Sequence, residues 1–144
     1  MDKTLSTGKP VTTSAAPTEG YPAGNAVDGI LDTYWDGTPY PQWLQVDLEK
    51  VATINEIHLH GYVANRRYYQ YTIETSLDGE QWTTVVDESK SMHESTKEGY
   101  RHTVKPIRAR HVRVKMLKNS ANPGVHIREL RVFEADHAGS SPAE

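Results

Sequence analysis

The chain has 144 residues, 24% of them charged, and contains no cysteine. A chain of this length can bury one hydrophobic core, whereas the missing cysteines exclude disulfides, thiolate catalysis and cysteine-ligated zinc. The formal net charge of −3 provides no overall positive field, so nucleic acid and anionic membranes are not expected partners.

The ends of the sequence are expected to flank a single domain. We assign residues 1–4 to an N-terminal tail, residues 5–135 to the domain, and residues 136–144 to a C-terminal tail or linker. No apolar run approaches the ~20 residues of a membrane-spanning helix, and the first residues lack a signal peptide. Because the C-terminal residues have the composition of a linker, we expect a module excised from a larger protein, which is itself secreted or displayed at the cell surface.

Short segments with a period of two predict an all-β fold. The predicted strands are residues 11–14, 43–48, 54–60, 69–76, 82–86, 100–104, 111–116 and 127–133. Clusters of Gly, Pro, Asn and Asp separate them, and helical spacing nowhere persists for three turns. About eight short antiparallel strands are typical of a β-sandwich or jelly roll.

Residues 25–35 form the segment richest in functional groups. They have neither helical nor strand periodicity, and Asp28-Gly29 is a turn signal, so we predict a structured loop. The Asp28 carboxylate, nearby main-chain carbonyls and the Thr33 hydroxyl are hard oxygen donors, which Ca²⁺ prefers. The alternative is an Asp-capped turn in which Trp35 fills an edge of the core.

Three motifs resemble the discoidin domain, also called the coagulation factor 5/8 type C domain. They are A-x-D-G-x-x-x-T-x-W at residues 26–35, Q-W-L-Q-V-D-L at 42–48 and S-x-D-G-x-x-W at 76–82. The similarity covers roughly residues 5–135 and is strongest to bacterial family 32 carbohydrate-binding modules. It implies a galactose-binding-like β-sandwich that acts as a non-catalytic carbohydrate-binding module and targets an attached enzyme to a glycan.

The resemblance also implies a structural Ca²⁺ ion. Its side-chain ligands would be the Asp28 carboxylate, the Thr33 hydroxyl and the Glu129 carboxylate, the last from the final strand. Main-chain oxygens would come from Asn25, Ile30, Thr33 and Arg128. Glu129 has an alternative as an outward strand residue paired with an arginine, but two acids brought together from distant positions would repel each other without a cation.

In the resembling family, the sugar site lies on loops at one end of the sandwich, here residues 17–24, 36–42, 61–68 and 118–126. An aromatic ring stacks on the C–H face of a pyranose, while charged and amide groups bind its hydroxyls. The candidate binding residues are Glu19, Tyr21, Asp36, Tyr40, Tyr62, Asn65, Arg66, Arg67, Tyr68 and Asn122. The alternative for residues 62–69 is a solvated hairpin tip with arginine stacked on tyrosine; Tyr69 is expected to face the core.

The sequence departs from the galactose-binding pattern of the family. Where such members carry a histidine after the tryptophan of the metal loop, this chain has Asp36, and the nearest following aromatic residue is Tyr40. This argues against terminal galactose. Acidic Glu19 and Asp36 favour a cationic or hydroxyl-rich sugar, whereas the adjacent arginines at 66 and 67 favour an acidic one. The sequence therefore does not decide which sugar binds.

No catalytic motif is present: G-x-S-x-G, H-E-x-x-H and phosphate-binding glycine loops are all missing. His58 and His60 are expected to be solvated on the polar face of a strand. We therefore predict a monomeric module without enzymatic activity, whose partners are a glycan and an attached catalytic domain. The alternative is a discoidin-type adhesion domain that binds protein or phospholipid, although the loop tips lack the Leu, Phe or Met residues that insert into membranes.

Overall fold

The computed structural model describes residues 4–135, which form an almost entirely β structure and confirm the predicted fold class. The elements in chain order are β1 (Val11–Thr13), a 3-10 helix (Ala23–Val27), β2 (Trp35–Asp36), β3 (Gln42–His60), β4 (Tyr69–Ser76), β5 (Thr83–Glu88), β6 (Tyr100–Asn119), β7 (His126–Ile127) and β8 (Glu129–Glu134). Residues 1–3 and 136–144 of the assigned tails lie outside the described residues. Thr4 forms an isolated antiparallel bridge with Phe133.

Two long strands organise the sheet. β3 and β6 are antiparallel partners, and their register shifts between Asp47 and Ala52. Before this break, β3 pairs with β1; after it, β3 pairs with β8. The sequence predicted two separate strands within each of β3 and β6. Each is one strand in the structure, because the pairing of β3 with β6 resumes at Ala52 after an irregularity at the exposed residues 49–51, where Glu49 has a φ of 69°.

The main sheet has the order β1-β3-β6-β4-β5, with β8 added beside β3, and β2 and β7 form a separate two-stranded ribbon. Leu44 and Val46 from the first half of β3 share one core cluster with Ile57 and Leu59 from its second half, and Trp35 is also fully buried there. The two halves therefore close over a common interior, as a β-sandwich requires. No helix in the described part of the chain is long and apolar enough to cross a membrane.

The expectation that His58 and His60 are solvated is wrong. His58 bonds Glu56 (Nε2 to Oε2, 2.6 Å) and packs against the Phe133 ring with a centroid distance of 4.7 Å. His60 is 4% exposed, and burial, followed by nearby cations, lowers its pKa to about 4. The loop before β6 covers this face, since a Cβ added to Gly99 would lie 2.6 Å from the His60 ring.

Candidate functional site

The ribbon of β2 and β7 brings together two polar side chains from opposite ends of the sequence. Asp36 and His126 are directly opposite each other in its register. The His126 Nε2 atom lies 3.9 Å from Oδ2 of Asp36, and the other carboxylate oxygen of Asp36 accepts a hydrogen bond of 2.9 Å from the Thr38 amide. Oδ2 of Asp36 and Nε2 of His126 therefore lie side by side on this ribbon.

Aromatic rings surround this pair. Tyr34 stacks on Tyr21 with a centroid distance of 4.7 Å and meets the rings of Tyr62 and His126 edge-on at 5.6 and 5.4 Å. Tyr21 is 37% exposed and Tyr62 is 38% exposed. We call Tyr21, Tyr34, Tyr62 and His126 the aromatic platform; it offers solvent two tyrosine rings whose orientation is set by neighbouring rings.

Arg67 positions one edge of the platform. Its guanidinium carbon lies 5.1 Å from the Tyr62 ring centroid, its Nε donates to the main-chain oxygen of Ala64 (3.1 Å), and its Nη2 donates to Oδ1 of Asn65 (2.8 Å). Asn65 and Arg66 have φ values of 63° and 55°, so a tight left-handed turn presents Arg67 inward. Arg67 is only 5% exposed and therefore supports Tyr62 from within.

Arg66 has a different environment from its neighbour. Its side chain is 88% exposed and its Nε lies 3.5 Å from Oε1 of Glu94. An exposed ion pair of this kind contributes little to stability. The two arginines, which the sequence presents as one cluster, are thus divided between the interior and the surface.

A hydrogen bond with Tyr69 positions the ring of His126. The buried Tyr69 hydroxyl lies 2.9 Å from Nδ1 of His126. Burial raises the pKa of Tyr69, so its hydroxyl keeps a proton that it can donate to Nδ1, and Nε2 of a neutral imidazole then carries the other proton. Burial, against the opposing effect of Asp36, lowers the pKa of His126 and favours the neutral ring.

The platform therefore combines a donor and an acceptor with aromatic surface. Nε2–H of His126 can donate to a hydroxyl group that in turn donates to Oδ2 of Asp36. Burial, followed by a hydrogen bond with Tyr21, raises the pKa of Tyr34 to about 12, so its hydroxyl also stays protonated. This chemistry suits a neutral polyhydroxyl ligand.

The remaining predicted binding residues are more scattered. Glu19 is exposed in the turn in which the Tyr21 amide bonds the Thr18 oxygen. Tyr40 is half-buried and packs against the core, and the main chain of Tyr68 bonds Ser120. The side chain of Asn122 accepts hydrogen bonds from Asn119 Nδ2 (3.1 Å) and the Gly124 amide (2.8 Å), so it shapes its own loop.

Sequence reasoning missed Tyr34 and His126. Tyr34 adjoins Trp35, whose side chain is fully buried, and alternation along the chain would have turned Tyr34 outward. His126 had no local signal, because its role depends on pairing with Asp36 across the ribbon.

The loop that precedes the platform holds converging oxygen atoms. Asp28 Oδ1 accepts a hydrogen bond from the Ile30 amide (2.9 Å), and Oδ2 accepts one from the Thr33 hydroxyl (2.5 Å). Glu129 is fully buried: its Oε2 accepts from the Gly29 amide (2.9 Å), while Oε1 makes no hydrogen bond within the described residues. Burial, followed by a hydrogen bond with Asp28, raises the pKa of Glu129 to about 7.

The other candidate metal ligands flank this loop. Arg128 donates from Nε to the Leu31 oxygen (2.5 Å), and Asn25 donates from Nδ2 to the Tyr34 oxygen (3.1 Å). Residues 4–135 contain no cluster of three or more His, Asp or Glu side chains suited to a metal. A cation here would take most of its ligands from main-chain and hydroxyl oxygens, which fits Ca²⁺. The unsatisfied oxygen of Glu129 beside Asp28 is consistent with such an ion.

Comparison with known proteins places these features in a family. The family model of the F5/8 type C domain matches residues 10–130. A comparison with curated protein sequences finds no significant match.

Several solved structures share the fold. The family 32 carbohydrate-binding module of AlyQ, in complex with 4,5-unsaturated mannuronic acid, is 27% identical with a TM-score of 0.76, covering 88% of this chain and 95% of that one. Chitosan-binding module 1 of a chitosanase/glucanase from Paenibacillus sp. IK-5 is 28% identical with a TM-score of 0.78, covering 91% and 98%.

A larger protein contains a similar segment. The family 89 glycoside hydrolase from Clostridium perfringens is 30% identical over 98% of this chain, with a TM-score of 0.81, but the match spans 16% of the hydrolase. These matches confirm the resemblance drawn from the sequence motifs. The chain belongs to the F5/8 type C, or discoidin, domain family, and its structural relatives include carbohydrate-binding modules.

Proposed function

We propose that this chain is a non-catalytic carbohydrate-binding module that binds a glycan on the aromatic platform. The observation that carries the proposal is the platform itself, in which two partly exposed tyrosine rings adjoin the donor of His126 and the acceptor of Asp36. Sugars offer this combination of an apolar C–H face and hydroxyl groups that both donate and accept.

Each platform residue has a distinct part in binding. Tyr62 and Tyr21 stack on the pyranose, Tyr34 holds them in place, and His126 with Asp36 binds one hydroxyl group. Because Nε and Nη2 of Arg67 are already engaged, that residue positions Tyr62 more than it attracts an acid. The platform is therefore matched to a hydroxyl-rich sugar. A shallow site on a well-hydrated ligand gives an expected Kd on the order of 0.01 to 1 mM.

The relatives support a glycan as the ligand. One is a complex with 4,5-unsaturated mannuronic acid, another is chitosan-binding module 1 of a chitosanase/glucanase, and chitosan-binding module 2 of that enzyme is solved with chitotriose. The sugars in these names differ in charge, so they support a glycan as the ligand but do not indicate which sugar this chain binds.

The calcium site is part of the proposal. Asp28, Thr33 and Glu129 would supply side-chain oxygens, and Asn25, Ile30, Thr33 and Arg128 would supply main-chain oxygens. Oε1 of Glu129 is buried without a hydrogen bond and lies 3.5 Å from Nε of Arg131, the arginine pairing named as its alternative. The pKa of Glu129 stays raised despite this arginine, which supports a cation between the two acids. Once bound, the ion would supply positive charge that braces the loop under Tyr34 and Trp35, without any part in a reaction.

We further propose that the module acts as a monomer attached to a catalytic domain in a secreted or surface-displayed bacterial protein. The similar segment within the family 89 glycoside hydrolase supports such an arrangement. Tethering would keep the enzyme near its glycan by raising its local concentration.

The test begins with a glycan array of neutral, acidic and amino sugars, followed by calorimetry on the best binder. We expect Tyr62→Ala and Tyr34→Ala to weaken binding by at least about tenfold. Leu77→Ala is the control, because Leu77 is 51% exposed and follows the end of β4 opposite to Tyr69. No binding to any sugar would overturn the proposal and favour the protein-binding alternative.

A further inference from the structure

Two arginines flank a histidine in a row across the sheet, and none of the three belongs to the platform. His58 on β3 lies directly opposite Arg101 on β6 and directly opposite Arg131 on β8. Side chains in register on neighbouring strands point to the same face of a sheet. All three line one cavity of about 670 Å³, whose other lining residues are Thr4, Thr7, Gly29 and Phe133.

The acids near this row leave positive charge uncompensated. Glu56 bonds Nε2 of His58 at 2.6 Å, and buried Glu129 lies 3.5 Å from Nε of Arg131. Arg101 donates from Nε to the main-chain oxygen of Glu98 (3.0 Å), which carries no net charge. Arg101 is exposed, so its guanidinium is accessible at the mouth of the cavity.

Other arginines of the sheet show a different arrangement. Arg110 bonds both carboxylate oxygens of Asp47 at 2.8 and 3.1 Å, and Arg113 bonds Glu74 at 3.1 Å. Arg101 and Arg131 lie on the two strands that flank β3, with His58 between them, and both line the same cavity. Two guanidinium groups on one cavity favour an anion from outside the chain, which can accept paired hydrogen bonds from them.

We propose that this cavity is a second binding site, which takes the carboxylate or sulfate group of an acidic saccharide. Arg101 and Arg131 bind the anionic group, and the Phe133 ring with the Thr4 and Thr7 hydroxyls contacts the rest of the sugar. The cavity shares no residue with the platform, so substitutions can test the two sites separately. The inference goes beyond the proposed function and does not require the platform to bind a sugar.

The experiment is an NMR titration of the whole chain, following the His58 ring protons and the Arg101 Nε–H signal. The probes are trigalacturonic acid, galactose 6-sulfate, neutral galactose and inorganic sulfate. We expect saturable shifts of both signals with trigalacturonic acid, with galactose 6-sulfate or with both, and none with galactose. Comparing the two acidic probes identifies whether carboxylate or sulfate is preferred.

Substitutions test whether the acidic probe binds in the cavity. Arg101→Gln should weaken the binding of the acidic probe by at least tenfold, whereas Lys97→Gln, which removes an exposed charge that does not line the cavity, should leave it unchanged. Tyr62→Ala should also leave it unchanged, because Tyr62 belongs to the platform. If acidic sugars bind in the cavity and no sugar binds at the platform, the result would support this inference and refute the proposed function.

Four results would overturn the inference. They are the absence of saturable shifts with both acidic sugars, equal affinity in Arg101→Gln and the unmodified chain, loss of the shifts in Tyr62→Ala, and shifts with inorganic sulfate alone.

Discussion

The Glu129 carboxylate accepts a hydrogen bond of 2.9 Å from the amide of Gly29, a residue 100 positions earlier in the chain. This hydrogen bond connects the last strand, β8, to the loop of residues 28–33, which precedes Tyr34 of the platform. The second oxygen of Glu129 is buried without a hydrogen bond in the described structure, and Asp28 lies alongside. The cation nearest to this oxygen among the described residues is Arg131, whose Nε lies 3.5 Å away. A buried carboxylate oxygen without a hydrogen bond is costly unless a bound cation or a proton satisfies it.

Removal of Ca²⁺ is expected to destabilise the module. An ion at 100 times its Kd would contribute about 2.7 kcal/mol, which shifts the melting temperature of a domain of this size by several degrees. Calorimetric melting in excess Ca²⁺ and in EDTA measures the shift, and elemental analysis reports any bound metal. An unchanged melt in EDTA together with no bound metal would contradict the calcium site.

The pH dependence of stability should reveal the same carboxyl group. In EDTA, burial raises the pKa of Glu129 in the folded protein to about 7, from its ordinary value of 4.5. The protonated carboxyl group therefore stabilises the folded protein fully below pH 4.5, and this stabilisation is lost as the pH rises through 7. The free energy of unfolding should fall by about 1.4 kcal/mol per pH unit at most. The measurement is the difference in unfolding free energy between the unmodified chain and Glu129→Gln across this range.

Excess Ca²⁺ should reverse this trend, because the ion binds the ionised carboxylate and its stabilising effect grows with pH. The Glu129→Gln variant serves as the control in both conditions, since glutamine does not titrate. Parallel stability curves for the two proteins in EDTA would show that Glu129 does not titrate with a raised pKa.

Gly37→Ala should destabilise the domain by about 1–3 kcal/mol, because extra volume in a packed site forces its neighbours to move. An added Cβ would lie 2.8 Å from Cη2 of the fully buried Trp35 ring and closer still to Cζ2. Gly24→Ala is the control: nothing lies within 4 Å of its Cβ position. Urea unfolding of both variants provides the measurement, and equal stabilities would contradict close packing at Trp35.

Arg67→Lys and Arg66→Lys are expected to differ in glycan binding. Lysine cannot reproduce both hydrogen bonds of Arg67 together with its position over Tyr62, so we expect binding of the best glycan from the array to weaken by about tenfold. Exposed Arg66 should tolerate lysine with little change. Calorimetry compares the two variants, and equal losses of affinity would place both arginines in the same role.

Much of the fold follows from local sequence pattern. The alternation of Leu44, Val46 and Leu48 with polar residues correctly predicted a half-buried strand, because one face of a sheet packs on the core. The same rule failed at His58 and His60, where the outer face is also covered. Local alternation shows which residues share a face of a strand but cannot reveal which other segments will cover that face.

Prediction of the proposed binding site was also partial. Tyr21, Asp36, Tyr62 and Arg67 were predicted from the family resemblance and the composition of their loops, and the structure brings them close together. His126 was not predicted, because its place beside Asp36 depends on a strand pairing between residues far apart in the chain.

The sequence by itself determined the all-β class, the family and the loops rich in sugar-binding residue types, since these depend on periodicity and local motifs. Only the tertiary structure decided that Arg67 points inward while Arg66 stays exposed, and that His126 faces Asp36. The physical reason is that burial and cross-strand register arise from contacts between distant segments, which no local pattern encodes.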